Sequence, residues 1–106
     1  MAEDPLWPRA SSWLQPAGSE RAELGLFGVL ASETSISATG ANAAPAEIRV
    51  ALARYSTFSH SQNQDLRQLS FLDFGDSETP DSKDGEERTK ALANKVSNQA
   101  DLSIAL

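Results

Sequence analysis

The stretch from Leu24 to Tyr55 carries three consecutive pieces of different character: LGLFGV (24–29), LASETSISATGANAA (30–44) and PAEIRVALARY (45–55). The first is apolar enough for a buried strand. The second has no hydrophobic period and is rich in Ser, Thr, Ala and Gly. The third places Ile48, Ala51, Leu52 and Tyr55 at i, i+3, i+4 and i+7, one apolar face of a helix. Pro45 suits the first helical position, where its missing N–H costs nothing. Glu47 sets negative charge in the first turn, as the helix dipole prefers. An apolar strand that feeds a helix through a loop is the unit of an α/β sheet, and that loop lies at the carboxyl edge, where such sheets bind ligands.

The same pattern recurs downstream. Gln68–Phe74 reads as a second strand, with Leu69, Phe71, Leu72 and Phe74 too apolar for a solvated face. Asp73, Gly75 and Asp76 end it, and SETPDSKDG follows as an acidic turn region. Asp84 with Glu87 three residues on predicts a capping box, opening a helix to about Asn98 with a narrow stripe of Leu92, Ala93 and Val96. Asp101–Leu106 returns to strand character. The expected fold class is therefore α/β, with about three strands and two to three helices, the strands pairing in parallel through right-handed crossovers.

Residues 1–20 read as an N-terminal lead segment, broken by Pro5, Pro8 and Pro16, with a short helical turn near Ala10–Leu14. Trp7, Trp13 and Leu14 need something to pack on. Ser56–Arg67 reads as a polar linker, and residues 21–106 as an incomplete α/β domain. The chain stops at Leu106, on what reads as the last residue of a strand, so we expect a piece of a longer protein.

Composition narrows the function. The net charge of −6, with scattered cationic residues, argues against nucleic acid. Cysteine is absent, which excludes disulfides, thiolate metal sites and a Cys nucleophile. The acidic, proline-broken N-terminus does not resemble a signal peptide, and no window approaches the ~20 apolar residues of a membrane span. A cytoplasmic protein with no membrane association is expected.

Few residues look like chemistry. His60, the one histidine, lies in a polar stretch without an acidic partner nearby and reads as a surface residue. Ser32, Ser35 and Ser37 lack the GxSxG setting of a hydrolase nucleophile. In the acidic run Asp73, Asp76, Glu78, Asp81, Asp84, Glu86 and Glu87, an EF-hand register on Gly85 would start at Pro80, which rejects it. Asp73 and Asp76 stand apart from the run because they sit at a strand end, where both functional and turn-capping carboxylates occur. No phosphate-binding glycine fingerprint is present.

Taken in order, these pieces resemble the N-terminal part of the ureohydrolase family, which includes arginase, agmatinase and formimidoylglutamase. That family opens with a strand ending Gly-Val-Pro, matched here by Gly28-Val29-Leu30. A loop then leads to Gly-Ala-x-x-Gly-Pro-x-x-Ile-Arg, matched by Gly40-Ala41, Ala44-Pro45 and Ile48-Arg49. The next strand ends in Asp-x-Gly-Asp, matched by Asp73-Phe74-Gly75-Asp76. Leu30 replaces the family's Pro and Ala44 its Gly. The resemblance implies an arginase-like three-layer sheet and hydrolysis of a guanidino or amidino C–N bond. It implies Mn²⁺ in the full-length family, a small guanidino or amidino substrate, and a homo-oligomer. It also implies that Leu30–Ala44 lines the substrate side, with Ser32, Glu33, Thr34 and Ser35 as candidates, and that Asp73 and Asp76 act as structural or supporting groups. The family's first manganese-ligand motif, Gly-Gly-Asp-His, follows the strand matched by Leu102–Leu106. No catalytic residue and no metal ligand is therefore expected within this chain, and no bound metal. The competing expectation is a stand-alone, non-catalytic α/β interaction domain.

Overall fold

The apolar run at 24–29 becomes the interior strand of a parallel sheet. The computed structural model describes residues 8–33, 36–37 and 40–106. In chain order the elements are α1 (Ala10–Trp13), β1 (Gln15–Pro16), β2 (Ala22–Val29), α2 (Ala44–Ala51), β3 (Phe58–Ser59), β4 (Gln64–Asp65), β5 (Phe71–Ser77), α3 (Lys83–Gln99) and β6 (Ala100–Ala105). The main sheet has the order β1-β5-β2-β6 with every pairing parallel. Among the described residues it has four strands rather than three. The extra one is β1, from the segment read as a lead, whose Gln15 and Pro16 pair with Leu72 and Asp73. Pro16 is compatible with this because β1 is an edge strand, where a missing N–H is tolerated.

Helices cover both faces of the sheet, as a parallel sheet requires. On one face α3 lies over β2, β5 and β6. Val96 is fully buried there in a cluster with Ala22, Phe27, Leu72 and Ala100, and Leu92, Ala93 and Phe74 pack around it. The stripe expected from the sequence is the one that packs. On the other face Leu26 and Phe71 are buried. Trp13 stacks at 4.5 Å on Phe71 and donates its indole N–H to the Leu69 carbonyl at 2.8 Å. The indole thus buries its apolar body with its one donor satisfied. Trp7 lies outside the described residues.

Several boundaries differ from expectation, each for a local reason. Strand β5 starts at Phe71 and runs through Asp76 to Ser77, because Leu66–Gln68 forms a 3-10 turn capped by Asp65. The cap of α3 is Ser82, whose hydroxyl accepts the Gly85 N–H at 3.0 Å, while Asp84 lies inside the first turn. The polar linker contains the β3–β4 hairpin, pairing Phe58 with Asp65 and Ser59 with Gln64. Helix α2 continues as a 3-10 turn over Leu52–Arg54, so together they span the expected helix. Its expected apolar face is split, with Ala51 and Leu52 half-buried and the other two residues outward. Ile48 is 41% and Tyr55 63% exposed, because Pro45 and Arg49, four residues apart, take the side toward the sheet.

Two outcomes follow from this packing. Val96→Ala removes two buried methyls from the centre of the α3 face and is expected to cost about 2 kcal/mol, read as a lower urea midpoint at unchanged m-value. At the hairpin, Arg67 binds the Asp65 carboxylate through its side chain and its backbone N–H, holding that carboxyl down from 3.8 to about 2. A depressed acid contributes stability above its unfolded pKa and loses it as pH falls through the folded one. NMR titration of the Asp65 carboxyl should give a midpoint near 2, moving toward 3.8 in Arg67→Met.

Candidate functional site

The sequence motifs that are separate along the chain meet on the α2 face of the sheet. Arg49 projects from the last turns of α2 toward β5. Its Nε donates to Asp73 Oδ2 at 2.8 Å, Nη2 to Asp73 Oδ1 at 3.0 Å, and Nη1 to Asp76 Oδ1 at 2.7 Å. Nη2 also reaches the Gly75 carbonyl at 3.4 Å. One planar guanidinium therefore bridges two carboxylates, with a bidentate grip on the first.

Such a bridge is not available to an ordinary strand. Residues three apart on a regular strand point to opposite faces. Here the register slips between Leu26 paired with Asp73 and Gly28 paired with Asp76, so β5 carries one extra residue against β2. The bulge brings both aspartates to the same face. Gly75 supplies it with a φ of 85°, a left-handed conformation that costs glycine nothing. The Gly75 N–H is satisfied by Asp73 Oδ1 at 2.9 Å. Gly28 is needed for a different reason. A Cβ there would run into the Asp76 carboxylate and lie 2.9 Å from Pro45 Cβ.

The Arg49 and Asp73 side chains are half-buried, at 20% and 23% exposure, and Asp76 is more open at 29%. Burial opposes the Arg49 charge, but the hydrogen bonds and the charges of Asp73 and Asp76 outweigh it and raise its pKa above the ordinary guanidinium value. The guanidinium contributes stability throughout the range below that value and loses it only as pH rises through the higher folded pKa. Beside the cluster is a cleft of about 430 Å³, lined by Ser11, Leu14, Gln15, Pro16, Arg49, Asp73 and Gly75.

A second set of contacts lies at the carboxyl edge. The Leu30 N–H donates to the Ser77 carbonyl at 3.1 Å, tying the ends of β2 and β5 together. Asp81 Oδ2 accepts the backbone N–H of Ser32 at 3.1 Å and of Glu33 at 2.7 Å. Two of the four loop candidates are thus placed at this edge through their backbone. Thr34 and Ser35 lie outside the described residues. Asp73 and Asp76 are brought together by Arg49. His60 is exposed and stacks edge-on against Phe58 at 5.3 Å.

Sequence reasoning did not assign a role to Arg49 or Asp81. For Arg49 a signal existed, since the residue stands in the quoted Ile48-Arg49 pair. Asp81 gave none, because its partners are 48 and 49 residues away. Among the described residues no group of three or more His, Cys, Asp or Glu side chains converges as a metal site would require. Both Asp73 oxygens and Asp76 Oδ1 already accept from Arg49. The described residues do not fit a manganese centre. No helix among the described residues is long and apolar enough to cross a membrane.

Sheet order, bulge and ion-pair cluster together define an open, parallel α/β protein with helices on both faces. The model of the arginase family matches residues 22–106, and the chain belongs to that family. Formimidoylglutamase of Halalkalibacterium halodurans is 46% identical over 52 residues, which are 49% of this chain and 16% of that protein. The crystal structure of formimidoylglutamase from Bacillus subtilis subsp. subtilis str. 168 superposes with a TM-score of 0.83 at 24% identity, over 99% of this chain and 34% of that one. That likeness establishes the arginase-like fold, of which this chain holds a part.

Removing the bridge should be costly. Arg49→Met leaves two part-buried carboxylates side by side and is expected to lose about 3 kcal/mol. Arg49→Lys should recover only part of this, because an ammonium cannot grip both acids in a plane. Equal stability of Met, Lys and parent chains in guanidinium titrations would contradict the central role of the bridge.

Proposed function

We propose that this chain is the N-terminal part of a ureohydrolase that cleaves the C–N bond of a small amidino or guanidino substrate, with a formimidoyl compound as the substrate class. The single observation that carries the finer choice is the 46% identity to a formimidoylglutamase over 52 residues. Membership of the arginase family supports the reaction class.

Within that reading the chain's own residues have limited duties. The Arg49 bridge sets the spacing between α2 and β5. The Ser32–Glu33 end of the loop lies at the carboxyl edge, bonded to the turn after β5, on the side of an open sheet where ligands bind. The manganese implied by the family would, when bound, supply Lewis-acid chemistry that lowers the pKa of a water; the described residues form no cluster that would hold it. The chain alone is then inactive. Exposed Ile48, Val50, Tyr55 and Phe58 favour cover by the rest of a subunit or by a second copy, which supports a homo-oligomeric parent.

A chimera tests this. Residues 22–106 are exchanged into the B. subtilis formimidoylglutamase in place of the matching segment, and hydrolysis of the formimidoyl substrate is followed in excess Mn²⁺. Measurable turnover is expected. A folded, metal-loaded chimera active only on a guanidino substrate would move the assignment to another branch of the family, and one inactive on both would reject it.

A further inference from the structure

The turn after β5 is held more firmly than a solvent-exposed connection requires. Thr79 has a φ of 45°, a left-handed backbone that a β-branched residue adopts only where its surroundings impose it. Arg88, in the second turn of α3, supplies that constraint. Its Nη2 donates to the Glu78 carbonyl at 3.0 Å and to the Thr79 hydroxyl at 2.7 Å. The Thr79 carbonyl then accepts both the backbone N–H of Ser82 at 3.2 Å and its hydroxyl at 2.9 Å. Ser82 in turn caps α3. The turn is thereby pinned at Thr79 and at Ser82, and Asp81 is half-buried between them.

Asp81 reaches across the carboxyl edge to a segment about fifty residues earlier. Two consecutive backbone donors, from Ser32 and Glu33, converge on its Oδ2. Hydrogen bonds to an ionised acceptor are roughly twice as strong as neutral ones. The neighbouring Leu30 to Ser77 bond means that the two strand ends are already adjacent, so the carboxylate orders the chain just beyond the point where sheet pairing stops.

We propose that Asp81 is a positioning residue, which clamps the start of the loop after β2 to the pinned turn after β5. The importance of that loop to a substrate rests on the functional reading above; the clamp itself is a property of this chain. It acts through backbone amides, so the side chains of Ser32 and Glu33 remain available to face other groups.

Amide hydrogen exchange by NMR on the 106-residue chain tests the clamp, comparing wild type with Asp81→Ala and Asp81→Asn. In Asp81→Ala the Ser32 and Glu33 amides are expected to exchange at least about tenfold faster, the factor that corresponds to losing one charge-assisted bond. Asp81→Asn keeps a carbonyl acceptor and should restore much of that protection. Leu26 and Val96 amides report the core and should not change. Unchanged exchange at Ser32 and Glu33 in Asp81→Ala overturns the proposal, as does an equal acceleration at Leu26 and Val96, which would mark a general loss of stability. If Asp81→Ala does not fold, Arg88→Met loosens the same turn from the other side. It should speed exchange at the same two amides, and no change there overturns the clamp. An inactive chimera beside an intact exchange pattern would reject the functional reading and not the clamp.

Discussion

One guanidinium held between two carboxylates ties α2 to β5 and sets the layout of that face of the sheet. Arg49, Asp73 and Asp76 bring one positive and two negative groups together in a half-buried place. Taking charges out of water is expensive unless each is paired and hydrogen-bonded. The Arg49 fork meets that condition with three short bonds to carboxylate oxygens. In doing so it fixes how far α2 stands from the sheet and which way β5 faces. The helix turns Pro45 and Arg49 inward and leaves Ile48 and Tyr55 outward, against its own hydrophobic period.

The bulge in β5 is the geometric counterpart of that pairing. Without an extra residue between Asp73 and Asp76 the two acids would face opposite layers. Gly75 allows the slip, and the absence of a side chain at Gly28 leaves room for the Asp76 carboxylate beside Pro45. Glycines, proline, arginine and aspartates from three motifs thus serve one junction. That convergence gives physical content to a resemblance that, in the sequence, was only an ordered set of short matches.

The two helical layers are held by different means. The α3 face is an apolar contact centred on Val96, with cost and gain proportional to buried area. The opposite face combines a smaller apolar patch, Trp13 on Phe71 with Leu26, and the polar junction of α2. The carboxyl edge is held by polar contacts through Asp81, Arg88 and the Thr79 turn. Loops at such an edge are positioned by the scaffold beneath them, and here that scaffold is the joined ends of β2 and β5.

The sequence by itself determined the α/β class, the strand–loop–helix order, the packing stripe of α3 and the family. These are local properties, since periodicity, turn residues and motif spacing are written within a few tens of residues. It misjudged what depends on competition between neighbours. The α3 cap fell to Ser82 rather than Asp84, and β5 began after a capped 3-10 turn that its apolar residues concealed. That Gln15–Pro16 joins the sheet, that Arg49 bridges Asp73 and Asp76, and that Asp81 holds Ser32 and Glu33 emerges with the folded chain. Each of these links residues that no local pattern relates, because their partners lie across a strand pairing whose register only the folded chain sets.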